Sequence, residues 1–257
     1  MKNTKIAWTE KTWNPVTGCT KCSEGCRNCY AESMARRLKA MGAKGYENGF
    51  GVTLHPERLG EPLKLKGRNM VFVCSMGDLF HEKIEKDFID KIMLVIRQTP
   101  NNTYQILTKR ASAMSDYFSP LYQGFFRHKV PKNVWLGVTV ENKAAKERIK
   151  FLRAIENPAL RFLSCEPLLE DLGKLDLRGI DWVIVGGESG AKARPMKEEW
   201  VLNIRRQCEQ CGVPFFFKQW GTWGADGVRR NKKANGCLLR GEVVQHFPKE
   251  VENGCRD

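Results

Sequence analysis

Val134-Trp135-Leu136-Gly137-Val138-Thr139-Val140 is followed by Glu141 and Asn142, then by the stretch 143–155, and then by Leu160-Arg161-Phe162-Leu163-Ser164. The outer runs are short and apolar, while 143–155 spaces Ala145, Ile149 and Leu152 three or four residues apart. Short runs rich in Val, Leu and Phe read as strands buried on both faces, and the wider spacing reads as one face of a helix. Strand, helix, strand is the unit of a parallel sheet. Working outward, the pattern recurs, with strands predicted over 70–74, 103–107, 182–185 and 214–217 and helices over 83–98 and 198–211. Connections of this kind are almost always right-handed, so the sheet winds one way. The six units and an N-terminal segment predict an α/β fold, a full or partial (β/α) TIM-type barrel in a single domain. A chain of 257 residues suits one such barrel. Residues 1–223 are assigned to it and 224–257 to a basic extension of short elements. The stretch 42–60, with five glycines, reads as a long loop or insertion.

Hydrophobic residues make up 42%, enough for a sizeable core. No apolar run reaches the length of a membrane span, and the opening MKNTKIAWTEKTW lacks the apolar stretch of a signal peptide. The expected location is therefore the cytoplasm, where thiols stay reduced. Ten cysteines there call for metal ligation rather than disulfides. The net charge is +14, from 43 Lys and Arg against 29 Asp and Glu. A soluble basic surface accounts for this. The basic residues also cluster, at Arg36, Arg37 and Lys39, at Lys64, Lys66 and Arg68, and at Arg229, Arg230, Lys232 and Lys233. Such clusters draw DNA or RNA.

Each predicted strand ends in polar residues: Ser75 and Asp78, Lys109 and Arg110, Glu141, Ser164 and Glu166, Gly186-Gly187-Glu188, and Lys218. In a parallel barrel these tips converge on the rim that carries the chemistry. One polar tip is an ordinary loop; six in register predict a site. For each carboxylate the plainer alternative is a salt bridge to Lys109, Arg110 or Lys218 across the rim.

Gly18-Cys19-Thr20-Lys21-Cys22-Ser23-Glu24-Gly25-Cys26-Arg27-Asn28-Cys29-Tyr30 places four thiols in eleven residues. Thiolates this close together can point at one soft metal centre. A zinc site pairing two of them with Cys208 and Cys211 is one reading, and inert packing another. Cys22-x3-Cys26-x2-Cys29 fits a third, in which three thiolates hold three irons of a [4Fe-4S] cubane. The fourth iron then stays open to the amino and carboxylate groups of S-adenosylmethionine. A helix over 31–41 is expected just beyond.

Here the sequence resembles the radical S-adenosylmethionine superfamily. More closely it is similar to a phage-associated family with a three-cysteine motif, distantly similar to spore photoproduct lyases. The resemblance rests on Trp13-Asn14-Pro15-Val16-Thr17-Gly18-Cys19, Gly25-Cys26-x-x-Cys29-Tyr30-Ala31-Glu32, Ser75-Met76-x-Asp78-Leu79-Phe80-His81, and Gln105-Ile106-Leu107-Thr108-Lys109-Arg110. It continues through Trp135–Asn142, Arg161–Leu168, Asp181–Gly190 and Pro214–Gly221. It implies metal ligands Cys19, Cys26 and Cys29, with Cys22, an addition to the family pattern, as the alternative first ligand. It also implies a cofactor site on the rim: Ser75 and Asp78 near the methionyl amino group, and Tyr30, beside Asn28, at the adenine. Lys109, Glu141, Ser164 and Glu166 are further contacts, and Gly186, Gly187 and Glu188 stand near the adenosyl group. A radical enzyme of this kind takes electrons from a donor such as flavodoxin or ferredoxin.

Three functional classes follow: a radical enzyme acting on a nucleic-acid base or nucleotide, one acting on a peptide or small metabolite, and a non-catalytic zinc protein that binds nucleic acid. Four carboxylates at strand tips argue against the third. The nucleic-acid reading places Arg229, Arg230, Lys232 and Lys233 on the polyanion. Lyase, isomerase and base-modifying reactions all fit, in a bacterial or phage-infected cell.

Overall fold

Every residue of Val134–Thr139 except Trp135 is buried, and Trp182–Gly186 is buried throughout, as strands covered on both faces must be. The computed structural model describes residues 1–122 and 129–249. In it the strands are β1 (Lys2–Asn3), β2 (Lys11–Trp13), β3 (Val16–Thr17), β4 (Thr53–Leu54), β5 (Met70–Val73), β6 (Thr103–Thr108), β7 (Val134–Thr139), β8 (Leu160–Cys165), β9 (Trp182–Gly186), β10 (Phe215–Gln219), β11 (Leu238–Leu239) and β12 (Glu242–Val243). The α-helices are α1 (Tyr30–Ala40), α2 (Lys86–Gln98), α3 (Ala111–Tyr117), α4 (Arg148–Ala154), α5 (Glu198–Cys211) and α6 (Lys232–Asn235).

The main sheet runs β1-β2-β5-β6-β7-β8-β9-β10. Only β1 is antiparallel to its neighbour, so seven strands are parallel, and they curl into a half-barrel. The partial form of the predicted barrel is the one adopted. The free edge of β10 is covered by the segment after β12: Phe217 donates its N–H to the Val244 carbonyl (2.7 Å), and His246 to that of Phe215 (3.0 Å). Covering an edge in this way prevents pairing with another chain.

Side chains alternate across the sheet. The outward set, including Val71, Ile106, Leu136, Leu163, Val183 and Phe217, packs under the helices in the main core. The inward set forms a second, aromatic cluster of Trp8, Leu160, Phe162, Trp182, Ile184 and Phe216 that plugs the barrel. Trp8 lies 4.7 Å from Phe72 and 6.2 Å from Phe162, ring centre to ring centre. Gly137 admits that plug, because a Cβ there would stand 2.4 Å from the Phe162 ring. One alternation nearer the strand C-termini, the inner face turns polar. Thr139 pairs in register with Ser164, and Lys109 and Lys218 reach Thr139 and Glu166.

All six predicted strands form, with ends shifted by a residue or two. The helix predicted over 198–211 forms without change, closed by Gly212 at φ 66°. That predicted over 143–155 opens as a 3-10 turn, Ala144–Glu147, before α4. The helix predicted from residue 83 starts at Lys86, because the 81–84 stretch turns back on His81: Ile84 donates to its carbonyl and Lys83 to its ring Nδ1. Strand β2 and helix α3 were not anticipated; three residues, Lys-Thr-Trp, are too short to show a period. Residues 250–257 of the assigned extension lie outside the described residues. Among the described residues, no helix is long and apolar enough to cross a membrane.

Candidate functional site

The chain runs from β2 through β3 into the cysteine loop and is stitched on the way to the tip of β5. Asn14 Oδ1 accepts from the Met76 N–H (2.9 Å) and from the Ser75 hydroxyl (3.2 Å), and the Gly18 N–H donates to the Met76 carbonyl (2.8 Å). Gly18 has φ +83°, and a Cβ on it would stand 2.1 Å from the Gly51 carbonyl oxygen. No other residue type permits both that dihedral and that approach. The stretch 42–60 is thus the outer wall of the loop, which it meets again where the Cys19 N–H reaches the Phe50 carbonyl (3.1 Å).

At its far end the loop crosses the mouth of the half-barrel. Asn28 Nδ2 donates to Glu188 (3.0 Å) and to the Lys192 carbonyl (2.7 Å), and Arg194 donates to the Glu24 carboxylate (3.0 Å) and carbonyl (3.1 Å). The loop backbone at Gly25 lies against Glu141, whose Cγ is 3.0 Å from where a Cβ would sit. The four thiols are therefore carried over the C-terminal ends of the strands, where parallel-sheet folds place their chemistry.

Cys19, Cys26 and Cys29 are half-buried and Cys22 is exposed. Cys26 is held down to about 4, first by its hydrogen bond with Cys22 and against the effect of burial, while Cys22 is pushed up by the same bond. Cys19 is raised, by burial first and then by Asp78, although Arg110 opposes both with its charge and with a hydrogen bond to the sulfur (3.3 Å). Among the described residues, no three Cys, His, Asp or Glu side chains converge as a metal-holding group. The chemistry of the donor set still fits thiolate ligation, with Cys26 held low and the Cys19 sulfur hydrogen-bonded to a guanidinium. Cys208 is not brought to this loop: it is fully buried in the core under α5. Cys211 lies beside Leu160 and Pro214, at the opposite end of the strands.

Each rim carboxylate has its own cation. Asp78 accepts from Thr108 (2.7 Å), from the N–H groups of Phe80 (3.1 Å) and Lys109 (3.3 Å), and from Arg110 (3.3 Å). Glu141 is fully buried and bound by Arg148 at 2.6 Å. Glu166 takes Lys218 on both oxygens at 2.7 Å. Glu188 is clasped by Arg194 through its backbone (2.8 Å), Nε (2.9 Å) and a terminal nitrogen (2.6 Å). Burial would raise Glu141 and Glu188, but their donors, Ser23 first for one and Arg194 for the other, hold both below the ordinary carboxylate value. The salt-bridge alternative thus describes Asp78 and Glu166, with the partners it named. Arg148 and Arg194 were missed, because a partner six or seven residues downstream of a carboxylate carries no recognisable spacing.

Of the other named residues, Lys109, Ser164 and Gly186 share the inner face, and Lys109 Nζ lies 3.5 Å from the Thr139 hydroxyl. A Cβ on Gly186 would meet the Glu166 carboxyl at 3.2 Å, while one on Gly187 would run into the Trp220 carbonyl. Tyr30 is 67% exposed at the start of α1. Of the basic extension, Arg229 donates to the Ala191 carbonyl and Arg230 pairs with Asp226 (2.6 Å). Lys232 and Lys233 stand exposed on α6.

Two buried histidines brace the loop, and both are shifted down, first by burial: His55 Nε2 meets Thr17 (2.8 Å) and His81 Nε2 meets Thr20 (2.8 Å). Below the ordinary value of 6.5 the unfolded chain binds protons that the folded chain refuses, so stability is full above that value and falls as pH drops. Thermal unfolding between about pH 7.5 and about pH 5.5 checks this. We expect the melting temperature to fall across that range, and to fall less in His55→Gln; identical slopes would contradict the assignment.

The model of the family described as "Protein of unknown function (DUF5131)" matches residues 3–248. No curated protein matches the chain. Solved structures similar to it include a variant of spore photoproduct lyase, 12% identical with a TM-score of 0.47 over 73% of this chain and 58% of that one. Another is spore photoproduct lyase complexed with dinucleoside spore photoproduct, at 11%, 0.48, 81% and 63%. A further variant, with bound AdoMet and the same dinucleoside, stands at 11%, 0.45, 81% and 63%. The chain spans about three fifths of the length of those lyase chains.

Proposed function

The chain belongs to the DUF5131 family, and from that premise we propose that it is a radical S-adenosylmethionine enzyme acting on a nucleic-acid base or nucleotide. One observation carries the reading: a loop of four thiols lies across the C-terminal mouth of a parallel half-barrel, with Arg110 bonded to the Cys19 sulfur. Cys19, Cys26 and Cys29 would hold a [4Fe-4S] cluster. When bound with S-adenosylmethionine, such a cluster supplies one-electron reductive cleavage and a 5′-deoxyadenosyl radical.

The protein's own part is to bind, orient and exclude water. We assign cofactor contact to the inner-face group of Lys109, Ser164 and Gly186, with Ser75 and Tyr30 at the loop's margins. Asp78, Glu141, Glu166 and Glu188, which the resemblance places at the cofactor, are each engaged by a cation of the chain, and we assign them instead to holding the rim, with Gly187 letting the β10 tip pack beside it. The aromatic cluster lies one alternation further from the strand C-termini, beneath the polar layer. The extension from residue 224 would carry the polyanion on Arg229, Arg230, Lys232 and Lys233. A flavodoxin or ferredoxin would supply electrons in the cytoplasm of a bacterial or phage-infected cell.

Anaerobic purification and reconstitution test the reading, followed by assay with dithionite, S-adenosylmethionine and DNA or RNA. About four irons per chain and release of 5′-deoxyadenosine are expected. Zinc in place of iron, or an iron-loaded chain that leaves the cofactor intact, would sink it. Turnover with peptide or cell extract but not with nucleic acid would keep the radical chemistry and reject the substrate. Changing Arg229 and Arg230 to Ala should lower polyanion affinity and the steepness of its salt dependence, leaving cofactor binding unchanged.

A further inference from the structure

Arg110, at the tip of β6, is fixed on three sides. Its Nε meets Glu82 (3.2 Å), one terminal nitrogen meets the Thr20 carbonyl (3.1 Å) and hydroxyl (2.9 Å), and the other meets Asp78 (3.3 Å). That last nitrogen also donates to the Cys19 sulfur at 3.3 Å. The side chain is only 11% exposed. Its neighbours are themselves pinned. Asp78 is held by Thr108 and two backbone N–H groups, and the Thr20 hydroxyl accepts from His81. His81 donates there because its Nδ1 already accepts from the Lys83 N–H (3.1 Å). A planar guanidinium held this way presents its remaining N–H in one direction.

Resting on the cluster reading above, we propose that Arg110 is a positioning residue that selects Cys19 over Cys22 as the first ligand and raises the reduction potential of the cluster held there. Cys22 is exposed and feels the charge of Arg110, but no hydrogen bond from Arg110 reaches it. A cationic donor on a ligating sulfur stabilises the reduced, more negative cluster, and hydrogen bonds to the sulfurs are among the factors that set such potentials.

Arg110→Gln and Arg110→Lys, reconstituted anaerobically with iron and sulfide, test this through iron content and a redox titration followed by electron paramagnetic resonance. The Gln variant should titrate at a more negative potential than the wild type, with Lys between them, since Lys keeps the charge and loses the fork. Combining Arg110→Gln with Cys22→Ser should lose more iron than either change alone, because the fallback ligand is then gone. Wild-type potentials in both variants at full iron would overturn the proposal and leave the cluster reading standing. A wild-type chain that takes up no iron would overturn both. If neither variant holds iron, Cys19→Ala decides. Loss of iron there as well supports Arg110 acting through Cys19, and retention overturns it.

Discussion

Cys26→Ala and Cys29→Ala chains should take up almost no cluster iron on anaerobic reconstitution, and the brown colour should be absent from both. On the proposed assignment each of these thiolates would hold one iron directly, so its removal would leave that iron without its ligand. Cys22→Ala should keep most of its iron. Cys22 is the exposed member, whereas Cys19 is tied through its N–H to Phe50 and through its sulfur to Arg110. Iron and sulfide analysis of the four single variants is sufficient. Iron lost from Cys22→Ala and kept in Cys19→Ala would reverse the choice of first ligand. Full iron in the Cys26 or Cys29 variant would remove the loop from the metal altogether.

The second large effect is on stability. Arg148→Met leaves Glu141 fully buried with its ion-pair partner gone; the lost contacts are 2.6 Å and 3.4 Å to the carboxylate and 2.8 Å to the Thr139 carbonyl. Stranding a buried charge in this way costs about 3–5 kcal/mol. In a domain of this size that lowers the melting temperature by roughly 6–20 °C. The deficit should shrink on acidification: Glu141, held low in the wild type, rises once unpaired and then takes up a proton in the folded variant. Pairing Arg148→Met with Glu141→Gln should recover part of the loss, because the charge to be stranded is no longer there. A single variant that melts within about a degree of the wild type would show the pair to be dispensable, whereas the surface pair Arg178–Asp176 should be nearly silent on truncation.

The division between what was legible and what was not follows from the range of the forces involved. The parallel sheet could be read because burial on both faces leaves a local record, apolar runs such as Val134–Thr139 and Trp182–Gly186 separated by helical spacing. The cysteine loop could be read because its four thiols are neighbours in the chain. The polar strand tips were visible for the same reason, and the half-barrel does gather them on one rim. Which cation meets which carboxylate was only partly visible: Arg110 and Lys218 were named as candidates, Arg148 and Arg194 were not. Arg110 with Asp78, Arg148 with Glu141, Arg194 with Glu188 and Lys218 with Glu166 are set by how strands stagger and loops return, at separations from six to 52 residues. Likewise, only packing shows Gly18 against Gly51, or Arg110 on the Cys19 sulfur across 91 residues. The sequence by itself determined the sheet, its direction and the thiols offered at its mouth, because periodicity and spacing are local properties of a chain. The tertiary structure decided that the barrel stays half open, that the rim's charges are matched in place, and that Cys19 is the thiol with a guanidinium on it. Those depend on close approach between distant segments, which no local pattern records.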